Sequence, residues 1–140
     1  MDITHLPFNK FIGIEKCDCN TDGIFQLSAD PKYLNHVGTV HASALYALAE
    51  ASSGEFLSRN LNIELENIFP ILRRADIKYR KPATGQIYAT GVYNEEDWDK
   101  FHETYQKKKR ALIAFQINLL NAEQIEVAAA TYEWFVTENK

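Results

Sequence analysis

The chain has 140 residues, 46% of them hydrophobic and 24% charged, with a formal net charge of −4. That length suits one domain, residues 1–140, with a real core, and the composition is that of an ordinary globular protein and not of a disordered one. The acidic balance speaks against a general nucleic-acid binder, no apolar run approaches the ~20 residues of a membrane span, and no basic stretch followed by an apolar one opens the chain. A cytoplasmic protein is expected.

Thr4 to Phe11 reads as a short helical or irregular lead that packs its aromatics, Phe8 and Phe11, on the body. Ile12 to Asp18 is a predicted strand, Asn20-Thr21-Asp22-Gly23 a turn, and Gly23 to Ser28 the partner strand of a hairpin. Cys17 and Cys19 are the only cysteines. With no second Cys or His cluster near them they read as reduced thiols on that strand, and no metal site is expected. Ala29-Asp30-Pro31 ends the hairpin, because proline removes a ladder donor and restricts its predecessor. Pro31 to Val40 is a loop in which Gly38-Thr39 gives freedom to aim the next element.

That element is a helix from Ala42 to about Arg59, apolar on nearly every side. At roughly 100° per residue, Leu45, Leu48, Ala49, Ser52 and Phe56 share one face. Glu50 points away from it, beside Tyr46, Ser53 and Leu57. A helix apolar all round is a core helix, and an ionised carboxylate on it is costly unless paired or functional. Pairing partners for Glu50 would be Arg73, Arg74 or His41.

Asn60 to Pro70 is a connection with room for a short extended piece. In Ile71 to Arg80, Ala75, Ile77 and Tyr79 alternate with Arg74, Asp76, Lys78 and Arg80, the period of a half-buried strand. Gln86 to Asn94 is the next strand. Glu95 to Lys109 is an amphipathic surface helix, with Trp98, Phe101 and Tyr105 at i, i+3 and i+7, acids at its front and lysines at its back. Ala111 to Leu120 and Ile125 to Thr137 are the last two strands, joined by Asn121-Ala122-Glu123-Gln124. Short turns make antiparallel neighbours. The long helix hides its surface if a curved antiparallel sheet wraps around it, an α+β architecture. Its apolar far side predicts a second subunit.

The segment Asn35-His36-Val37-Gly38-Thr39-Val40-His41-Ala42-Ser43, continued by Leu48-Ala49-Glu50, resembles the hotdog-fold acyl-CoA thioesterases, in particular the phenylacetate-pathway type and its relatives. Their motif runs Asn, a Gly-containing loop, His-Gly-Gly, then Leu-Ala-Asp. Ile77-Lys78-Tyr79-Arg80-Lys81-Pro82 resembles the end of the family's third strand. The resemblance spans about residues 25 to 137 and implies the hotdog fold, a curved antiparallel sheet around one long central helix. It departs in two places: His41-Ala42-Ser43 replaces His-Gly-Gly, and Glu50 replaces the commoner Asp.

The resemblance implies thioester hydrolysis of an acyl-CoA or acyl-carrier substrate by a dimer or dimer of dimers. No cofactor is implied beyond the coenzyme A of the substrate. Glu50, from the second subunit, would activate water or attack directly, and the Ala42 N–H at the positive helix start would polarise the carbonyl. Asn35 would orient water or carbonyl, His41 would fix the loop or bond near the thioester, and Ser53 would bind water or orient the carboxylate. Gly38, Thr39, Ser43 and Tyr46 would contact substrate, with Tyr46, Leu57 and Phe69 along a medium to long or aromatic acyl group. Phosphates of coenzyme A call for cations, and Arg80 and Lys81, near Arg74 and Lys78, are candidates, with Lys107 to Arg110 a second group.

Each of these residues also has a structural reading: His41 and Asn35 as loop and cap residues, Ser52 and Ser53 as packing, the cations as solvated surface. The alternative function is a non-catalytic acyl-thioester or lipid-binding hotdog module, which Ala42-Ser43 in place of paired glycines keeps open. A dehydratase or hydratase is disfavoured, since no Asp and His pair of that type is found.

Overall fold

The computed structural model describes residues 1–18 and 22–140. Cys19, Asn20 and Thr21, and with them the Cys17–Cys19 pair and most of the expected Asn20–Gly23 turn, lie outside the described residues. Cys17 is not a free thiol, so a reduced cysteine is not found there.

The lead is ordered by local capping. The Asp2 carboxylate accepts from the Thr4 N–H and hydroxyl and caps a single turn, Ile3–His5. Proline then opens α1, Pro7–Ile12, which Gly13 ends in the left-handed region at φ 92°. The Tyr33 hydroxyl donates to the Ile12 carbonyl and ties α1 to the body, and a side chain at Gly13 would run into that hydroxyl. The buried residues of the lead are Ile3, Thr4 and Asn9, and the Asn9 amide donates to the Ile3 carbonyl. Phe8 and Phe11 are exposed, at 62% and 83%, contrary to the expectation that the lead buries its aromatics. One short helix offers one inward face, and here Asn9 occupies it.

Because α1 runs to Gly13, the first strand, β1, is only Glu15–Lys16. It pairs with β2, Gly23–Leu27. The long helix α2 spans Ala42–Asn60. β3, Ile68–Tyr79, begins three residues before its predicted start and contains Pro70. β4 is Ile87–Val92, α3 is Glu95–Lys108, β5 is Arg110–Asn121 and β6 is Glu126–Glu138. All six strands form one antiparallel sheet in the order β1-β2-β4-β5-β6-β3. After β2 the chain crosses by α2 to the far edge, where β3 pairs only with β6; an edge strand tolerates Pro70, which has no donor to lose. The sheet wraps α2, which is the hotdog fold expected.

The helix face counted from the sequence is the core face. Leu45, Leu48, Ala49, Ser52 and Phe56 are all buried. The Phe56 ring meets Phe115 at 4.9 Å and Trp98 at 6.3 Å between centroids. A side chain at Gly91 would collide with that ring, which is why β4 carries glycine there. α3 buries Trp98, Phe101 and Tyr105 as predicted, and its His102 Nε2–H donates to the Asn60 carbonyl at 3.2 Å. α3 therefore closes the C-terminal end of α2.

The second stripe of α2, Tyr46, Glu50, Ser53 and Leu57, is covered in part: Ser53 and Leu57 are buried, while Tyr46 is 37% exposed. The inward residues of β6 stand over it: Tyr132 packs edge-on to Tyr46 at 6.4 Å and Trp134 reaches Ser53. Glu50 sits between these two contacts and is half-buried. No helix is long and apolar enough to cross a membrane among the described residues.

Candidate active site

The loop before α2 is built around one side chain. Asn35 Oδ1 accepts from the N–H groups of Val37 and Thr39 at 3.0 and 3.1 Å, and its Nδ2 donates to Thr39 Oγ1 at 2.9 Å. Its backbone N–H donates to the Thr39 carbonyl, and Gly38, at φ 80°, makes the turn possible. Asn35 and Thr39 thus spend most of their bonding capacity on each other. Their work is to present His41 and the start of α2.

His41 is the N-cap. Its Nδ1 accepts from the Ser43 N–H at 3.0 Å and lies 2.9 Å from Ser43 Oγ. Since that N–H can only donate, neutral His41 carries its proton on Nε2, which is left as a donor. The His41 carbonyl takes the N–H groups of Ala44 and Leu45. Among the first four N–H groups of α2, only that of Ala42 then has no acceptor among the described residues. A free N–H at a positive helix end is a donor suited to a developing oxyanion. The Tyr79 hydroxyl donates to the Ala42 carbonyl at 3.2 Å and pins this end of the helix to β3.

Ala42, Asn35, Thr39, Tyr79, Arg80 and Lys81 line one open cleft of about 370 Å³. Arg80 faces Glu126 at 3.8 Å, an exposed pair of small worth. Lys81 has no ion pair among the described residues. Lys107 pairs with Glu103 on α3, whose packing at the C-terminal end of α2 sets it apart from this cleft.

Glu50 lies elsewhere. It borders a groove of about 380 Å³ with Ile3, Leu6, Leu57, Pro70 and Trp134. Burial pushes its carboxyl above the ordinary 4.5. It has neither ion pair nor hydrogen bond among the described residues; of the expected partners, the Arg73 guanidinium lies over the Phe135 ring, His41 holds Ser43, and Arg74 makes no ion pair among them. Phe69, expected along an acyl group, is 57% exposed on the β3 edge, while Leu57 does line the groove. Eight residues of helix, ~12 Å, separate Glu50 from Ala42, so one chain does not bring the two together.

Ser53 is wholly buried. Its hydroxyl donates to the Glu50 carbonyl at 2.7 Å and accepts from Trp134 Nε1 at 3.2 Å. It is tied to the backbone of the Glu50 turn and to β6, away from any open space. Sequence reading missed Tyr79 and Tyr132. Tyr132 is wholly buried, and a buried phenol needs a partner for its hydroxyl, which was the available signal there; Tyr79 is 45% exposed and gave no such signal. No group of three or more metal-binding side chains is present among the described residues.

The fold has solved counterparts. A Pseudomonas aeruginosa protein described as a probable thioesterase matches with a TM-score of 0.80 and 18% identity over 98% of this chain and 91% of that one. A Streptococcus mutans protein bound to acetyl CoA matches at TM-score 0.60 and 17% identity, covering 91% of each chain. A Staphylococcus aureus thioesterase, known as a Gln→Ala and a Glu→Ala variant, matches at TM-score 0.67 and 10% identity over 94% of this chain and 99% of that one. No curated protein sequence matches. Residues 19–136 match the family model described as a domain of unknown function, DUF4442, and the chain belongs to that family.

Proposed function

We propose that the chain is an acyl-CoA or acyl-carrier thioesterase that works as a homodimer or dimer of dimers. The observation that carries this reading is Glu50: an unpaired carboxylate on the central helix, raised in pKa by burial, at the edge of an apolar groove. A raised carboxylate is a better base at neutral pH. Solved counterparts bound to acetyl CoA, or described as thioesterases, support the substrate class. In the Staphylococcus aureus thioesterase the substituted Gln and Glu stand fifteen residues apart, the spacing of Asn35 and Glu50 here.

The residues suggest the steps. The thioester carbonyl accepts from the free Ala42 N–H, where the helix start favours the negative charge that develops on it. Glu50 takes a proton from water as that water adds to the carbonyl, or adds to it directly. The tetrahedral intermediate then expels the coenzyme A thiolate, leaving the acid on the water route or, on the direct route, a mixed anhydride with Glu50 that water cleaves to the acid and free Glu50. Within one chain Ala42 and Glu50 are too far apart, so Glu50 works with Ala42 of the partner subunit. Asn35, Gly38 and Thr39 shape the entry, and His41 Nε2–H and Ser43 lie beside it as donors to substrate. Tyr46 borders the acyl path, and Arg80 and Lys81 meet the phosphates. We assign Ser53 to holding the Glu50 turn.

Hydrolysis of an acyl-CoA panel by wild type and Glu50→Gln tests this. Turnover by wild type and its loss in the variant are expected. Equal rates in the two would sink the assignment of Glu50, and binding without cleavage would favour a non-catalytic acyl-thioester module.

A further inference from the structure

One buried polar group beside Glu50 has no role in the hydrolysis just proposed. Tyr132 is 0% exposed, and its hydroxyl has no hydrogen-bond partner among the described residues. An unpaired buried hydroxyl is costly, and a fold keeps one when something uses it. Two contacts fix where it lies. Its ring packs on Tyr46, and Trp134, next on the same face of β6, bonds Ser53. Glu50 is one turn from Tyr46 and one turn from Ser53 on the same stripe of α2, so Tyr132 stands over the Glu50 turn. Burial first, then Tyr46, Glu50 and Tyr79, push the Tyr132 phenol far up, so it stays a donor at every working pH. Of the other hydroxyls, Tyr79 donates to the Ala42 carbonyl and Ser53 to the Glu50 carbonyl, and Tyr46 is 37% exposed, where water serves it.

We propose that Tyr132 is the positioning residue of Glu50: its hydroxyl, unpartnered among the described residues, donates to the carboxylate once Glu50 is ionised and holds it toward the thioester. This rests on the reading of Glu50 as the base. The burial that strengthens Glu50 as a base also narrows the pH range over which it is ionised, and the neutral form takes no proton from water. A donor that favours the charged form restores the base and fixes its direction. Beside Glu50 stand Tyr46, one turn away on α2, and Tyr132 on β6, which also feels Tyr79 of β3, and Met1 lines the same groove. No Asp, Lys, Arg or His lines that groove among the described residues.

The test is the titration of Glu50 itself, tracked by its carboxyl carbon shift in wild type and Tyr132→Phe, with kcat and KM measured across pH on an acyl-CoA. Phenylalanine fills the same space, and thermal melts check the fold. In the variant the Glu50 midpoint should rise by about one pH unit, the acid limb of kcat should move with it, and kcat below that limb should fall about tenfold with KM within about twofold. An unchanged midpoint overturns the proposal. If the variant does not fold, 3-fluorotyrosine at position 132, a stronger donor of nearly the same shape, must lower the midpoint; no change there overturns it equally. A shifted midpoint in a protein that cleaves no acyl-CoA upholds the contact and overturns the hydrolase reading instead.

Discussion

The indole N–H of Trp134 donates to Ser53 Oγ at 3.2 Å in a fully buried bond between β6 and α2. The same hydroxyl donates to the Glu50 carbonyl, so one small side chain joins the sheet to the turn that carries the carboxylate. Ser53→Ala strands the indole N–H, which costs ~1–3 kcal/mol. The expected result in denaturant melts is a loss of that size, with KM for an acyl-CoA nearly unchanged. A variant as stable as wild type would show that water replaces the hydroxyl.

Glu50→Gln separates charge from shape. Burial holds the folded carboxyl above its unfolded value near 4.5. Between those two values the folded chain binds more protons than the unfolded one. The stability that protonated Glu50 contributes is thus fully present below pH 4.5 and lost as pH rises through the folded pKa. Glutamine never ionises, so the variant should melt above wild type at pH 7, and the advantage should vanish at about pH 4. Hydrolysis should fall by ~10²-fold or more, as for a lost general base. Equal melting curves at pH 7 would mean the carboxylate is well solvated.

Much of the fold was legible in the sequence because its elements obey a single period. The stripe Leu45, Leu48, Ala49, Ser52, Phe56 was counted at helical spacing and is buried as counted. Trp98, Phe101 and Tyr105 fixed α3 in the same way. β3 was harder. A register shift between Leu72 and Arg74 resets its alternation, and no local signal in the sequence announces a bulge. In the site, the order of Asn35, His41 and Glu50 along the chain could be read, but what each side chain bonds could not. Asn35 is spent on Thr39 and Ser53 on Trp134, and the second pair is 81 residues apart in sequence. Tyr132 was hidden for the same reason: its closeness to Glu50 exists only once β6 lies across α2.

Asn35→Ala should act on the loop before it acts on chemistry. The amide side chain makes three hydrogen bonds, to Val37, Thr39 and the Thr39 hydroxyl. Losing them in a partly solvated loop costs ~1–2 kcal/mol. The helix start that holds the Ala42 N–H loses its support, so kcat should fall while the melting temperature drops only modestly. Glu50 titration should not change. A variant with wild-type kcat would remove the 35–39 loop from the reaction.

The distance between Ala42 and Glu50 makes the strongest prediction. The β3 edge leaves Phe69 and Ile71 exposed, at 57% and 41%, and unpaired apolar edges invite a second strand. Mass measurement in solution should give at least twice the 16.0 kDa of the chain. A strictly monomeric species at micromolar concentration counts against it. A mixing experiment goes further. Ala42→Pro removes the free N–H and little else, because Ala42 is the first residue of α2, where proline is tolerated, and His41 before it is already extended at ψ 138°. Ala42→Pro and Glu50→Gln should each be inactive alone. Unfolded together and refolded, half of the dimers are hybrids, and each hybrid has one site with an intact Glu50 facing the intact Ala42 of the partner subunit. Activity should return to about a quarter of wild type. If each subunit carried its own complete site, mixing would restore nothing.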